Sequence, residues 1–402
     1  MTTSASTFRG RGPELVEGRA HMARSGIRAF MDLAWSAGEV IHLEVGEPNF
    51  PTPPHVVEAA HRAAQEGWTK YVANAGVPAL RAAIAEKLRS RNRITGAAPE
   101  DVVVTAGGAE GLYASLLAIV EAGQGVLVPD PGWPNFRMIA TVLGAQAQPY
   151  RLRPEDGFQP SLDELERAAT PATRAVIVNS PSNPLGTVLE RDRAEAIVEW
   201  AARRKLWLVS DECYDELAYV PGSPSLASLA DAAHVVSCFS FSKTYAMTGW
   251  RVGYVYAARS DLIELVTKLQ EPILACVNAP AQAAAIAALS GPQEVVAEMR
   301  DAYRRRRDAA VSLFRADGVP VVQPAGAFYL WVDVSEWRPD DWTFAEALLS
   351  EGRVAVAPGS AFGAAGAGCL RISLATEESA LLEGCERILA QLGTPALRRS
   401  RG

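Results

Sequence analysis

Ala175-Val176-Ile177-Val178-Asn179-Ser180-Pro181-Ser182-Asn183-Pro184-Leu185-Gly186 is an apolar run that stops at a polar turn broken by prolines. No polar side chain interrupts residues 175–178, and β-branched residues suit a strand covered on both faces. The same pattern recurs outward in both directions, at Val102–Thr105, Gly125–Pro129, Leu206–Ser210 and Val235–Phe239, each bounded by turn residues. Helical stretches separate these runs. Gly111–Val120 carries Leu112, Leu116 and Ile119 on one face, and another helix opens at Ser161 with Glu164 at capping-box spacing. Strand–helix alternation of this kind predicts an α/β fold with a large, mostly parallel sheet and helices on both faces.

The flanks read differently. Four prolines between residues 48 and 54 exclude regular structure and mark a boundary. Alanine-rich patterning predicts helices over 56–65 and 80–88, a long charged helix is expected over 294–315, a strand over 328–334 and a last helix near 377–392. These give a large domain over residues 55–298 and a smaller α+β domain built from 20–54 together with 299–402. Residues 1–19, rich in Ser, Thr, Gly and Arg without an apolar stretch, read as a disordered leader.

Composition narrows the function classes. The 402 residues carry a formal charge of −7, with 49% apolar and 21% charged residues, which suits a globular protein and gives no reason to expect nucleic acid. The run Arg304–Arg307 lacks interleaved aromatics and is flanked by Asp301 and Asp308, so it reads as a solvated helix face. No apolar run is long enough for a membrane span. Five scattered cysteines form no C-x-x-C pair, so neither a disulfide framework nor a metal site is expected, and a cytoplasmic setting fits. Lysines number only five, which shortens the candidates for chemistry that needs a primary amine.

Ligands of a parallel α/β sheet sit outside the carboxyl ends of its strands. At those ends stand Gly107-Gly108-Ala109, Asp130-Pro131-Gly132-Trp133, Asn179 to Gly186, Ser210-Asp211-Glu212-Cys213-Tyr214 and Ser240-Phe241-Ser242-Lys243. The stretch from Ser240 through Lys243 to Thr248-Gly249-Trp250-Arg251-Val252-Gly253-Tyr254 resembles the lysine signature of class I/II, fold-type I aminotransferases, which depend on pyridoxal 5′-phosphate. Asn183–Gly186, the step Asp211–Tyr214, and Pro358–Gly363 followed by Arg371-Ile372-Ser373 are similar to that family's other landmarks and fall in the same order. The likeness runs from about Ile27 to Leu392.

The resemblance implies a fold-type I enzyme that moves an amino group between an L-amino acid and a 2-oxo acid in two half-reactions, with the cofactor joined to Lys243. An amine forms that bond best when burial or a neighbouring cation lowers its pKa, and Arg251 is a candidate neighbour. Asp211, at a buried strand end, needs a cationic partner, which a protonated pyridine nitrogen supplies. By resemblance, Tyr214 and Asn183 contact the cofactor's phenolic oxygen and Trp133 stacks on its ring. The phosphate falls to the backbone of Gly108 and Ala109, to Ser240, Ser242 and Arg251. The family often has a hydroxyl residue where this chain has Ala109. Arg371 matches the α-carboxylate anchor, with Gly46 beside it, and Tyr71 resembles a tyrosine that reaches the neighbouring site of a homodimer. The same scaffold also hosts lyases, decarboxylases, cyclases and oxidases, which form the alternative reading.

Overall fold

A computed structural model describes residues 24–229 and 232–393, together with Val16, Arg19 and Met22. The leader expected over residues 1–19 lies outside the described residues, apart from Val16 and Arg19.

Thirteen strands are described. They are β1 (Ile41–His42), β2 (Val102–Thr105), β3 (Gly125–Asp130), β4 (Gln146–Arg151), β5 (Thr173–Asn179), β6 (Trp207–Asp211) and β7 (Val235–Ser240). There follow β8 (Gly253–Tyr256), β9 (Val321–Val322), β10 (Tyr329–Asp333), β11 (Val354–Ala355), β12 (Ala357–Pro358) and β13 (Cys369–Ser373). Seven form one sheet in the order β2-β8-β7-β6-β5-β3-β4. From β7 to β4 every pairing is parallel, whereas β8 runs antiparallel to both β2 and β7.

Side chains of a strand alternate between faces, and here the two faces feed two cores. Val176, Val178, Leu127 and Leu208 pack with Ile197 and Trp200 of the helix Arg191–Arg204. Ala175, Ile177, Val126 and Val209 pack instead with Leu112 and Leu116 of the helix Gly108–Ile119. Truncating one of these, such as the fully buried Leu208, to alanine costs about 2–5 kcal/mol. That rigidity holds the strand ends in place.

A second sheet, β12-β13-β10-β9, is antiparallel. Its core joins Phe328, Leu330, Leu370 and Ile372 with Tyr303 and Phe314 of the helix Glu294–Ala316 and Leu381 and Ile388 of the helix Glu378–Leu392. Phe30 and Ala34 of the helix Gly26–Ser36 and Leu43 enter that same core, and β1 pairs with β11. Residues 30–43 and 299–392 thus contribute to one core.

Three features differ from what the sequence suggests. The edge strand β4 was not anticipated, because Pro149 and two glutamines hide its period; an edge tolerates both. At Ser161 only half of a capping box forms. Ser161 Oγ accepts from Glu164 N at 3.4 Å, but the Glu164 carboxylate turns to Arg153 at 2.7 Å. Finally, Arg304–Arg307 is not uniformly solvated. Arg304 and Arg305 are exposed, while Arg306 is buried, donating to Asn49 Oδ1 and the Leu374 carbonyl and lying over Tyr303 and Phe50. Helical spacing from Met299, Tyr303 and Ala310 places residue 306 on the core face.

Among the described residues no helix is long and apolar enough to cross a membrane, and no group of His, Cys, Asp or Glu could hold a metal ion.

Candidate active site

The carboxyl ends of β3, β5, β6 and β7 open onto a cavity of about 570 Å³. Its walls include Gly46, Ala109, Trp133, Asn183, Asp211, Tyr214, Lys243, Arg251 and Arg371, brought together from distant parts of the chain.

Lys243 lies in the turn Phe241–Thr244 that follows β7. Ser240 caps that turn, its Oγ accepting from Ser242 N at 3.1 Å. The Lys243 amine donates to the Gly46 carbonyl at 2.5 Å. Burial lowers its pKa to about 8, and the charges of Arg371 and Arg251 push the same way, against Cys213 and Glu47. A cationic neighbour was expected; burial is the larger cause.

Asp211 ends β6 and is 4% exposed. Its Oδ1 accepts from Cys213 N at 3.2 Å, and no cation pairs with it among the described residues. Burial therefore raises its pKa to about 6. Three residues on, Tyr214 places its hydroxyl oxygen 2.7 Å from that of Tyr329.

Arg371, on β13, is 1% exposed. One amine nitrogen donates to Asn183 Oδ1 at 3.0 Å and the other to the Glu44 carbonyl. Its guanidinium lies 4.3 Å from the ring centre of Tyr329 and 4.9 Å from that of Phe362. Its Nε is buried without a hydrogen-bond partner. Buried donors are rarely left without an acceptor, and this one belongs to a residue of the cavity wall. Asn183 spends its side-chain oxygen on Arg371, which leaves its amide hydrogens for a bound group.

Facing the cavity from the other side, Gly107 has φ 81° and opens the helix Gly108–Ile119. A Cβ on Gly107 would lie 2.6 Å from Arg251 Nη2, and one on Gly108 would lie 2.6 Å from Cys213 Sγ and 3.5 Å from Ser240 Cβ. The start of this helix, whose first amides have no partner within it, thus lies against Arg251 at Gly107 and against Cys213 and Ser240 at Gly108. Trp133 meets Phe136 edge-on at 5.5 Å, fixing the indole at the cavity wall.

A family model described as aminotransferase class I and II matches residues 38–388. The chain belongs to the class I and II aminotransferases. A probable aspartate/prephenate aminotransferase of Aquifex aeolicus is 40% identical over 359 residues, 87% of this chain and 90% of that relative. The aromatic-amino-acid aminotransferase 2 of Thermococcus litoralis is 36% identical over 368 residues, covering 90% and 94% respectively. Among solved structures, the aspartate aminotransferase from Thermus thermophilus with maleate superposes with a TM-score of 0.90 at 36% identity, covering 94% of this chain and 100% of that one. The protein is therefore an aminotransferase of fold type I.

The family uses pyridoxal phosphate, and the aminotransferase's own residues fit that group. An amine with a lowered pKa and a buried carboxylate with no cation paired to it among the described residues line one cavity, and the start of the helix Gly108–Ile119 reaches it through Ala109. Ser242, buried at 6%, supports Ser240 through its backbone and is not among the cavity walls. Tyr71 is 89% exposed and lies outside the cavity.

Several walls were missed from sequence. Tyr329 was read only as part of a strand. Ile27 and Met31, four residues apart on the helix Gly26–Ser36, share a face that looks onto the cavity, and that spacing was the available signal. Cys213 stood inside a quoted motif without a role.

Proposed function

We propose that this aminotransferase moves an amino group between an L-amino acid and a 2-oxo acid with pyridoxal 5′-phosphate joined to Lys243. The observation that carries the reading is the convergence of Lys243, an unpaired Asp211 and the open Nε of Arg371 on one cavity. When bound, the cofactor supplies an electron sink for the pair left on the substrate's α-carbon.

Each residue then has a physical task. Arg371 grips the substrate α-carboxylate through its free Nε–H and the remaining hydrogen of a neighbouring Nη, a planar fork matched to a planar anion. Gly46 lets the backbone approach beside it. As a free amine, Lys243 would take up and return a proton at the substrate's α-carbon; its pKa of about 8 leaves a usable fraction unprotonated near neutrality. Asp211 keeps the ring nitrogen protonated, and that cation offsets the cost of burying the carboxylate. Tyr214 and Asn183 hold the ring oxygen, and Trp133 stacks on the ring. Gly108, Ala109, Ser240 and Arg251 hold the phosphate, with Ser242 bracing Ser240.

The active unit is a homodimer in which Tyr71 of one subunit reaches the phosphate side of the other. Support comes from the exposure of Tyr71, Leu265, Ile273 and Leu274, and from a second hollow of about 730 Å³ that reaches Leu274 and Arg251. The large domain spans 55–298, and 20–54 with 299–402 form the smaller one. Relatives named for aspartate, prephenate and aromatic amino acids, together with walls that combine Ile27 and Met31 with Arg28, favour substrates with acidic or aromatic side chains.

The test is borohydride reduction of the loaded enzyme followed by peptide mapping, alongside assay of Lys243→Ala with aspartate or phenylalanine and 2-oxoglutarate. The label is expected on Lys243, with turnover lost in the variant. Label on another lysine, or full turnover without Lys243, would refute the reading.

A further inference from the structure

The hydroxyls of Tyr214 and Tyr329 lie 2.7 Å apart, and both residues are buried. A phenol carries one proton, so one oxygen donates in this pair and the proton of the other points elsewhere. The surroundings differ enough to choose between them. The Arg371 guanidinium sits 4.3 Å from the ring centre of Tyr329, whereas the Tyr214 ring meets Phe328 and Tyr329 edge-on at 5.5 and 5.8 Å. A cation over a phenol ring draws charge from its oxygen and makes that O–H the stronger donor. The backbone of Gly46 closes the other side, since a Cβ there would lie 2.5 Å from Tyr329 Oη.

We propose that Tyr329 is a positioning residue for the reaction. Its hydroxyl donates to Tyr214 Oη and so aims the Tyr214 proton into the cavity, at the cofactor's ring oxygen. The assignment rests on the placement of that ring oxygen against Tyr214 proposed above. It gives Tyr329 two separable functions: its hydroxyl orders a donor, and its ring face carries the arginine that grips the substrate. The titratable groups facing the pair are Arg371 and Cys213, with Tyr303 against Tyr329; Glu44 acts on Arg371.

The experiment is a pH titration of the bound cofactor's visible absorbance in the substrate-free holoenzyme, paired with KM for the amino acid. Tyr329→Phe removes the hydroxyl and keeps the ring under Arg371. A hydrogen bond to the charged ring oxygen favours the deprotonated chromophore, so weakening it raises the midpoint. The expected rise is roughly half to one pH unit, with KM moving by less than about twofold. Tyr214→Phe raises the midpoint further. Tyr329→Leu also removes the ring face and raises KM roughly tenfold. A midpoint that stays put or falls in Tyr329→Phe, beside a rise in Tyr214→Phe, overturns the role of Tyr329. An unchanged midpoint in both variants overturns the placement of the ring oxygen against Tyr214, and the assignment with it.

Discussion

Asp211 and Asp215 stand four residues apart on one segment, both largely buried, and their surroundings could hardly differ more. Asp215 pairs with Lys87 and accepts from Asn92 at 3.0 Å, in a cluster that also holds Glu216 and Arg91. Burial works against the charge on Lys87, but Asp215, Tyr254 and Glu216 overcome it and hold its pKa above the ordinary lysine range. Asp211 has the Cys213 amide and side chain, an open cavity and no cation paired to it among the described residues. A buried carboxylate satisfied within the chain belongs to the scaffold. One left without a counter-charge beside a cavity is waiting for a ligand.

The widest test of that contrast is Asp211→Asn. Loss of the charge that keeps the cofactor ring cationic is expected to lower kcat/KM by roughly a thousandfold, measured as transamination with cofactor in excess. A loss below about tenfold would place Asp211 with the scaffold after all.

Lys87→Met should do the opposite. Leaving Asp215 buried and unpaired is expected to cost about 3–5 kcal/mol in denaturant unfolding, with the remaining folded enzyme near its normal KM. The double change Lys87→Met with Asp215→Leu should recover most of that stability; failure to recover it would mean the cluster does more than hold the fold.

The two carboxylates also separate by pH. The folded apoprotein holds a proton on Asp211 up to about 6, above the ordinary 3.8, so it binds more protons than the unfolded chain in that window. Its stability contribution is therefore present at the acid end and lost as pH rises from about 4 to 6, on the order of 3 kcal/mol. The difference between wild type and Asp211→Asn in apoprotein unfolding across that range should show this slope, and added cofactor should flatten it. A smaller effect is expected from Arg371→Lys. A point charge cannot reproduce the fork, so KM for the amino acid should rise about tenfold with a lesser change in kcat.

Much of this was legible in the chain. Apolar runs ending in polar turns located β2, β3, β5, β6 and β7 to within one or two residues, because fully buried strands leave little freedom in composition. Asp211, Asn183, Tyr214, Lys243 and Arg371 were found by motif, and the structure brings them to one cavity. What escaped was what sequence spacing does not encode. β8 begins at the end of the lysine motif, and its reversed direction depends on pairing with β2, about 150 residues back along the chain, where Val104 lies opposite Tyr254. Tyr329 sits in a strand whose neighbours are also aromatic, so only three-dimensional contact distinguishes its hydroxyl from the surrounding core.

The Gly46 carbonyl that receives the Lys243 amine has a consequence for how the molecule is made. That carbonyl is synthesised early, its amine midway and the Tyr329 and Arg371 side chains beside it late. A ribosome-bound chain carrying only the large sheet has the lysine and Asp211 but not yet the Tyr329 and Arg371 walls. The wall that Tyr329 and Arg371 form is therefore the last part of the cavity to be completed.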